Sequence, residues 1–350
     1  MRETITVMMV VLIGLACCAE CLAQGKVSRP KPRTTHTNTS SIKTNNNTIK
    51  EDPTKALELK AMKMIDNEDY DMAIPILAQA AEKGSSWCAF ALGNIFQFGK
   101  DGSQRNILKA MEWYVISAEN GNIDAMKAIG DIYERELGIF DKKEQAEIWY
   151  LKAADAGDSD AMLYLGNLYY RGRGVKQDYR EAKKWYEAAA KNGNIKALVK
   201  IADICYNGMG QEKDYDTALK NYRVAATEGN AKAQYKLGLM YERGLGLNNY
   251  DEDEAIKWYH LSANQDYPDA CWKLGILHWY GNNINKDKAK AIEYFSKAAQ
   301  NGHSESMCKL GEIYFNGDGV MQDKSKALDF WKRATQLGNS RARSFLAKYF

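Results

Sequence analysis

Ser306 and Lys309 stand three residues apart in Ser306-Met307-Cys308-Lys309, the spacing at which lactam-acylating enzymes carry a serine nucleophile and a lysine. That chemistry also needs S-D-N and K-T-G elements, and the chain has neither. G-x-S-x-G, H-E-x-x-H and Walker-type loops are missing as well. Four histidines are few, and His260, which follows Trp258-Tyr259, has no cysteine or carboxylate cluster at ligand spacing. No catalytic constellation, metal or cofactor is therefore expected. Of seven cysteines, Cys17, Cys18 and Cys21 lie in an apolar N-terminal stretch, and Cys88, Cys205, Cys271 and Cys308 are scattered through the rest.

The elements that must hold these residues are helical. Of five prolines, Pro30, Pro32 and Pro53 precede residue 54, which leaves Pro75 and Pro268 for the remainder of 350 residues. A hydrophobic content of 45% excludes wholesale disorder. Seven of 48 bases and two of 45 acids fall in residues 1–50, leaving 41 against 43, a net of −2. A balance of that kind lacks the electrostatic footprint of a nucleic-acid binder.

Sixteen uncharged residues, Thr4 to Ala19, separate Glu3 from Glu20. As a helix they would reach roughly 24 Å, short of the ~30 Å hydrocarbon layer, so they read as a signal peptide (residues 1–23) and imply export to the periplasm or outside the cell. Cleavage fits after Ala19 or Ala23. Leu15-Ala16-Cys17-Cys18 and Gly14-Leu15-Ala16-Cys17 leave open a lipid anchor at Cys17 or Cys18, and an uncleaved anchor is a third reading. Residues 24–54 are polar, basic and rich in Thr and Asn, a disordered linker.

The remainder repeats. Leu92-Gly93, Ile129-Gly130, Leu165-Gly166, Ile201-Ala202, Leu237-Gly238, Leu274-Gly275, Leu310-Gly311 and Leu346-Ala347 recur every 36 or 37 residues. Trp113-Tyr114, Trp149-Tyr150, Trp185-Tyr186, Asn221-Tyr222, Trp258-Tyr259, Tyr294-Phe295 and Phe330-Trp331 keep the same beat. Each unit ends on a glycine, with Asp266 standing in once. In residues 158–193, Ala161, Leu165, Leu168 and Tyr169 form one apolar stripe, Gly166 allows a neighbouring backbone to approach, and Gly172 and Gly174 break the helix. Asp178 offers a cap, and Ala182, Trp185, Tyr186 and Ala189 line a second helix. One hairpin cannot bury both stripes, but stacked hairpins can. The expected fold is all-α, a right-handed superhelical solenoid of antiparallel hairpins. Seven units over 85–338 lie between a degenerate capping hairpin (55–84) and a C-terminal capping helix (339–350). His278 takes a slot held elsewhere by tyrosine, a packing substitute, and Ser306 takes the slot of an interface alanine.

The pattern A-x-x-x-L-G-x-x-Y-x-x-G-x-G, then A-x-x-W-Y-x-x-A-A-x-x-G, resembles the Sel-one-like repeat family, relatives of the tetratricopeptide repeats. Ala202, Ala347, Cys205, His278 and Gly281-Asn282-Asn283 depart from it. Cysteine-rich members resemble one another in bridging a pair inside each repeat, but no unit here has two cysteines, and buried thiols are expected. The resemblance also implies a non-enzymatic protein-binding scaffold, with a lactam- or cell-wall-directed activity or an envelope assembly role as alternatives.

Counted from the small interface residue of each first helix, slots three, seven and ten oppose the buried stripe. In related repeats they resemble ligand-facing, concave positions. They supply an aromatic track, Tyr170, Tyr206, Tyr235, Trp272, Trp279 and Phe315, with Asp131, Glu134 and Asp203 as an acidic approach. The tenth-slot aromatics Tyr170, Tyr206, Trp279 and Phe315 are expected to be exposed, whereas Tyr235 and Trp272 also suit packing against the next hairpin. The partner expected from this surface is an extended peptide or helix, basic toward the acidic end.

Overall fold

The computed structural model describes residues 52–100, 102, 104–135 and 144–349. The leader, most of the linker, and the anchor readings at Cys17 and Cys18 lie outside the described residues. Seventeen helices and no strand are found among those described. A capping pair, α1 (Pro53–Asp66) and α2 (Tyr70–Glu82), opens the stack. Helix α1 begins two residues inside the stretch assigned to the linker, because Pro53 suits a first helical turn and the Asp52 carboxylate accepts the Thr54 amide at 3.0 Å.

Seven hairpins follow. Their first helices are α3 (Ser86–Phe98), α5 (Ile123–Arg135), α7 (Ser159–Arg171), α9 (Ile195–Asn207), α11 (Ala231–Arg243), α13 (Pro268–Tyr280) and α15 (Ser304–Asn316). Their second helices are α4 (Ile107–Glu119), α6 (Glu144–Asp155), α8 (Tyr179–Lys191), α10 (Tyr215–Thr227), α12 (Glu252–Ala263), α14 (Lys288–Gln300) and α16 (Lys324–Gln336). A lone α17 (Ser340–Tyr349) closes the array. Each helix packs on its neighbours in sequence, the arrangement of a helical-repeat solenoid.

Side chains at the junctions start and stop these helices. Asp178, Asp214, Asp251, Asp287 and Asp323 accept amide hydrogens at the starts of second helices, as a cap requires. Asp266 takes φ +56° at the slot where other units end on glycine, and Asn283 takes φ +55° where other loops have their second glycine. The core is a row of aromatics on the second helices, Tyr114, Tyr150, Tyr186, Tyr222, Tyr259, Phe295 and Trp331, all buried. Gly166 makes room for this row: a Cβ there would lie 2.4 Å from the Tyr186 ring, so the close approach is by a tyrosine ring rather than by backbone.

Candidate functional site

The first helices share one face, and the buried tyrosine row reaches it from behind. Tyr150 donates its hydroxyl hydrogen to Asp131 at 2.6 Å, Tyr186 to Asn167 at 2.9 Å, Tyr222 to Asp203 at 2.6 Å and Tyr259 to Glu242 at 2.6 Å. Tyr114 does the same to Asn94 at 2.8 Å. Seventh- and tenth-slot polar groups therefore satisfy buried phenols. Where Phe295 replaces tyrosine, the corresponding slots are Ile276 and Trp279, and no acceptor is needed. Burial first, and the adjacent carboxylate second, pushes Tyr150, Tyr222 and Tyr259 far above the ordinary phenol range.

The three acids expected to form an approach are on this face but engaged. Besides Tyr150, Asp131 meets Arg135 at 3.6 Å. Glu134, with only 8% of its side chain exposed, is held by Arg173 at 3.1 Å and Arg171 at 4.0 Å. Asp203 is shared between Tyr222 and Lys232, the latter at 2.6 Å. The expected acidic approach is thus engaged with internal partners: Asp131 meets a cation of its own helix, and Glu134 and Asp203 each meet cations of the next repeat.

Five of the six aromatics are half-buried along the same face. Tyr170 meets Tyr179 edge-on at 5.3 Å, and Tyr206 meets Tyr215 likewise at 5.6 Å. Tyr235 lies between Tyr259 and Tyr267, and its hydroxyl is pushed up to about 12 by burial and then by Asp269. Trp272 packs on Phe295 and His303, and Phe315 on Trp331 and Tyr349. Trp279 corrects the expectation of exposure: it is 8% exposed, against Phe295, with Lys288 and Lys309 over its ring at 5.1 and 5.0 Å.

A second periodic feature was missed by reading only three slots. Lys200, Lys236, Lys273 and Lys309 follow the third slot in four successive units. Lys200 lies over the Tyr170 ring at 5.8 Å and Lys236 over Tyr206 at 5.6 Å, each covering the preceding repeat's tenth-slot aromatic. Lys273 pairs with Glu242 at 2.6 Å, and Lys309 with Glu312 at 3.8 Å. The 36- and 37-residue spacing of these lysines was the available signal. Helical angle alone put them beside the buried stripe, but a long stem carries the ammonium onto the exposed side.

Ser306 has the connectivity of a nucleophile without the access. Its Oγ is 2.9 Å from His303 Nδ1, and His303 Nε2 is 3.6 Å from Asp269. Ser306 is nevertheless fully buried, and the same Nδ1 accepts the Ser306 amide hydrogen at 3.1 Å, a helix cap. Lys309 is directed to Glu312 and Trp279. His278 is buried and stacks on Tyr294 at 5.7 Å, and Tyr294 also meets His260 Nδ1 at 3.2 Å. Cys88, Cys205, Cys271 and Cys308 are free, buried thiols. No cluster able to hold a metal occurs among the described residues. No described helix is long and apolar enough to cross a membrane.

A stack of near-identical hairpins presenting one side-chain face per unit is the architecture of a repeat scaffold. The Sel1 repeat model matches seven consecutive segments, 88–122, 123–158, 159–194, 195–230, 231–267, 268–303 and 304–339, and the chain belongs to the Sel1 repeat family. Repeats of this family build protein-interaction scaffolds. A protective antigen of uropathogenic Escherichia coli strains, with an SLR fold, is similar at 26% identity and a TM-score of 0.64 over 85% of this chain and 67% of that one. A Sel1 repeat protein from Oxalobacter formigenes is similar at 30% identity and a TM-score of 0.61, over 70% and 96%. Among curated proteins, chitin synthase regulatory factor 1 of Schizosaccharomyces pombe is 32% identical over 71 residues, 20% of this chain and 16% of that protein.

Proposed function

We propose that the chain is an exported, non-enzymatic scaffold that binds a protein partner along its first-helix face. The carrying observation is the half-buried aromatic series Tyr170, Tyr206, Tyr235, Trp272 and Phe315, repeated on successive first helices. Rigid rings of this kind lose little rotamer entropy on binding and act as anchors of roughly 2 kcal/mol or more. Export rests on the apolar Thr4–Ala19 stretch, with a lipid anchor at Cys17 or Cys18 as its variant. An extended peptide suits a face whose features recur at each repeat.

Affinity capture from an envelope extract tests the binding reading. Tyr206→Ala should lose the partner while melting within a few degrees of the parent. Trp279→Ala, which empties a core position, should cost about 3–5 kcal/mol of stability. A partner retained by folded Tyr206→Ala would remove Tyr206 from the site. Fractionation of the tagged chain in its native host tests export: a soluble cytoplasmic pool alone contradicts it.

A further inference from the structure

The aromatic series is accompanied by cations that touch its rings but, among the described residues, form no ion pair. Across α7, α9 and α11, Asp203 is in contact with Tyr222 and Lys232. Among the described residues, no carboxylate lies within ion-pair distance of Lys200 or Lys236. Arg243 approaches the Tyr206 hydroxyl at 3.5 Å, and the neighbouring Glu242 is taken by Lys273 at 2.6 Å. Three cations without an ion-pair partner among the described residues thus surround two aromatic rings.

We propose that this stretch of the first-helix face takes an extended acidic polypeptide, whose carboxylates pair with Lys200, Lys236 and Arg243 while intervening apolar side chains lie on Tyr170 and Tyr206. The proposal rests on the reading of this face as the binding surface and names its partner's chemistry. Lys200 and Lys236 stand at equivalent positions of adjacent repeats, and packed helices are spaced about 10 Å apart. An extended polyproline-II chain advances about 3.1 Å per residue and returns to the same face every third residue, so it offers one carboxylate per repeat when Asp or Glu recurs at every third position. Lys200 is the more constrained cation. Burial first, and then Lys232, lowers its affinity for a proton; Asp203 offsets this only in part, and a partner's carboxylate would offset the rest. Since these cations are few and lie in a charge-balanced repeat region, a polyanion such as nucleic acid fits the surface less well.

Fluorescence anisotropy on the full chain decides the matter, with two labelled extended peptides of about a dozen residues. They share Leu and Phe positions and carry Glu or Lys at every third residue. Oligothymidylate is the third probe. The Glu peptide should bind at least about tenfold tighter than the Lys peptide, and more weakly as salt rises from about 50 to about 500 mM. Lys200→Glu with Lys236→Glu should lose at least about tenfold, as should the stem-preserving Lys200→Met with Lys236→Met. Lys184→Glu with Lys220→Glu, on exposed second-helix positions, should bind within about twofold of the parent. Circular dichroism confirms that each variant is folded. Equal or tighter binding of the Lys peptide, lost in Tyr206→Ala, overturns the acidic partner and leaves the binding face standing. Binding of neither peptide overturns both, and tighter binding of oligothymidylate assigns the cations to a nucleic acid.

Discussion

At the scale of single residues, each repeat depends on one ring in one small slot. Tyr186 lies where a Cβ on Gly166 would need to be, and its hydroxyl is spent on Asn167. Gly166→Ala should therefore destabilise the chain by about 1–3 kcal/mol, read from denaturant unfolding; an unchanged midpoint would show that the ring can move aside. Burial pushes the Cys271 and Cys308 thiols up to about 11, and both lack access to solvent. A thiol reagent at about pH 8 should leave them unmodified in the folded chain and label them in denaturant.

At the scale of elements, helix starts and stops were legible because they rest on local chemistry: Asp178 at a start, glycine at an end, and Asp266 standing in with φ +56°. That left-handed conformation costs an L-residue free energy, so Asp266→Gly should raise stability by up to about 1 kcal/mol in urea melts; a loss would mean that the carboxylate itself has a role. The site was less legible. Angle around a helix brought the aromatics and acids to one face, but it could not show that Asp131, Asp203 and Glu242 face phenols arriving from the second helix. Nor could it separate Tyr206 from Trp279, since both occupy the tenth slot; the ring opposing Trp279 is Phe295, and lysines from two later helices close over it. The row from Lys200 to Lys309 was visible as a period and invisible as a surface, because only the folded stack places each lysine over the previous unit's ring.

At the scale of the repeat array, the phenol row couples fold to pH. Tyr150, Tyr222 and Tyr259 hold their protons in the folded state well above the pH at which an unfolded tyrosine releases them. Their contribution is complete below about pH 10 and declines as pH rises beyond it, by about 1.4 kcal/mol per pH unit for each tyrosine. Tyr222→Phe should flatten the alkaline slope by one proton, and an unchanged slope would place the titration elsewhere. The central claim is that the partner lies along the first helices. Site-specific photo-crosslinking in the native host tests it most directly, with benzoylphenylalanine replacing Asn207, beside Tyr206, or Lys184, on the exposed side of α8. Discrete crosslinked products from position 207 and none from position 184 are predicted; products from 184 with none from 207 would contradict the claim.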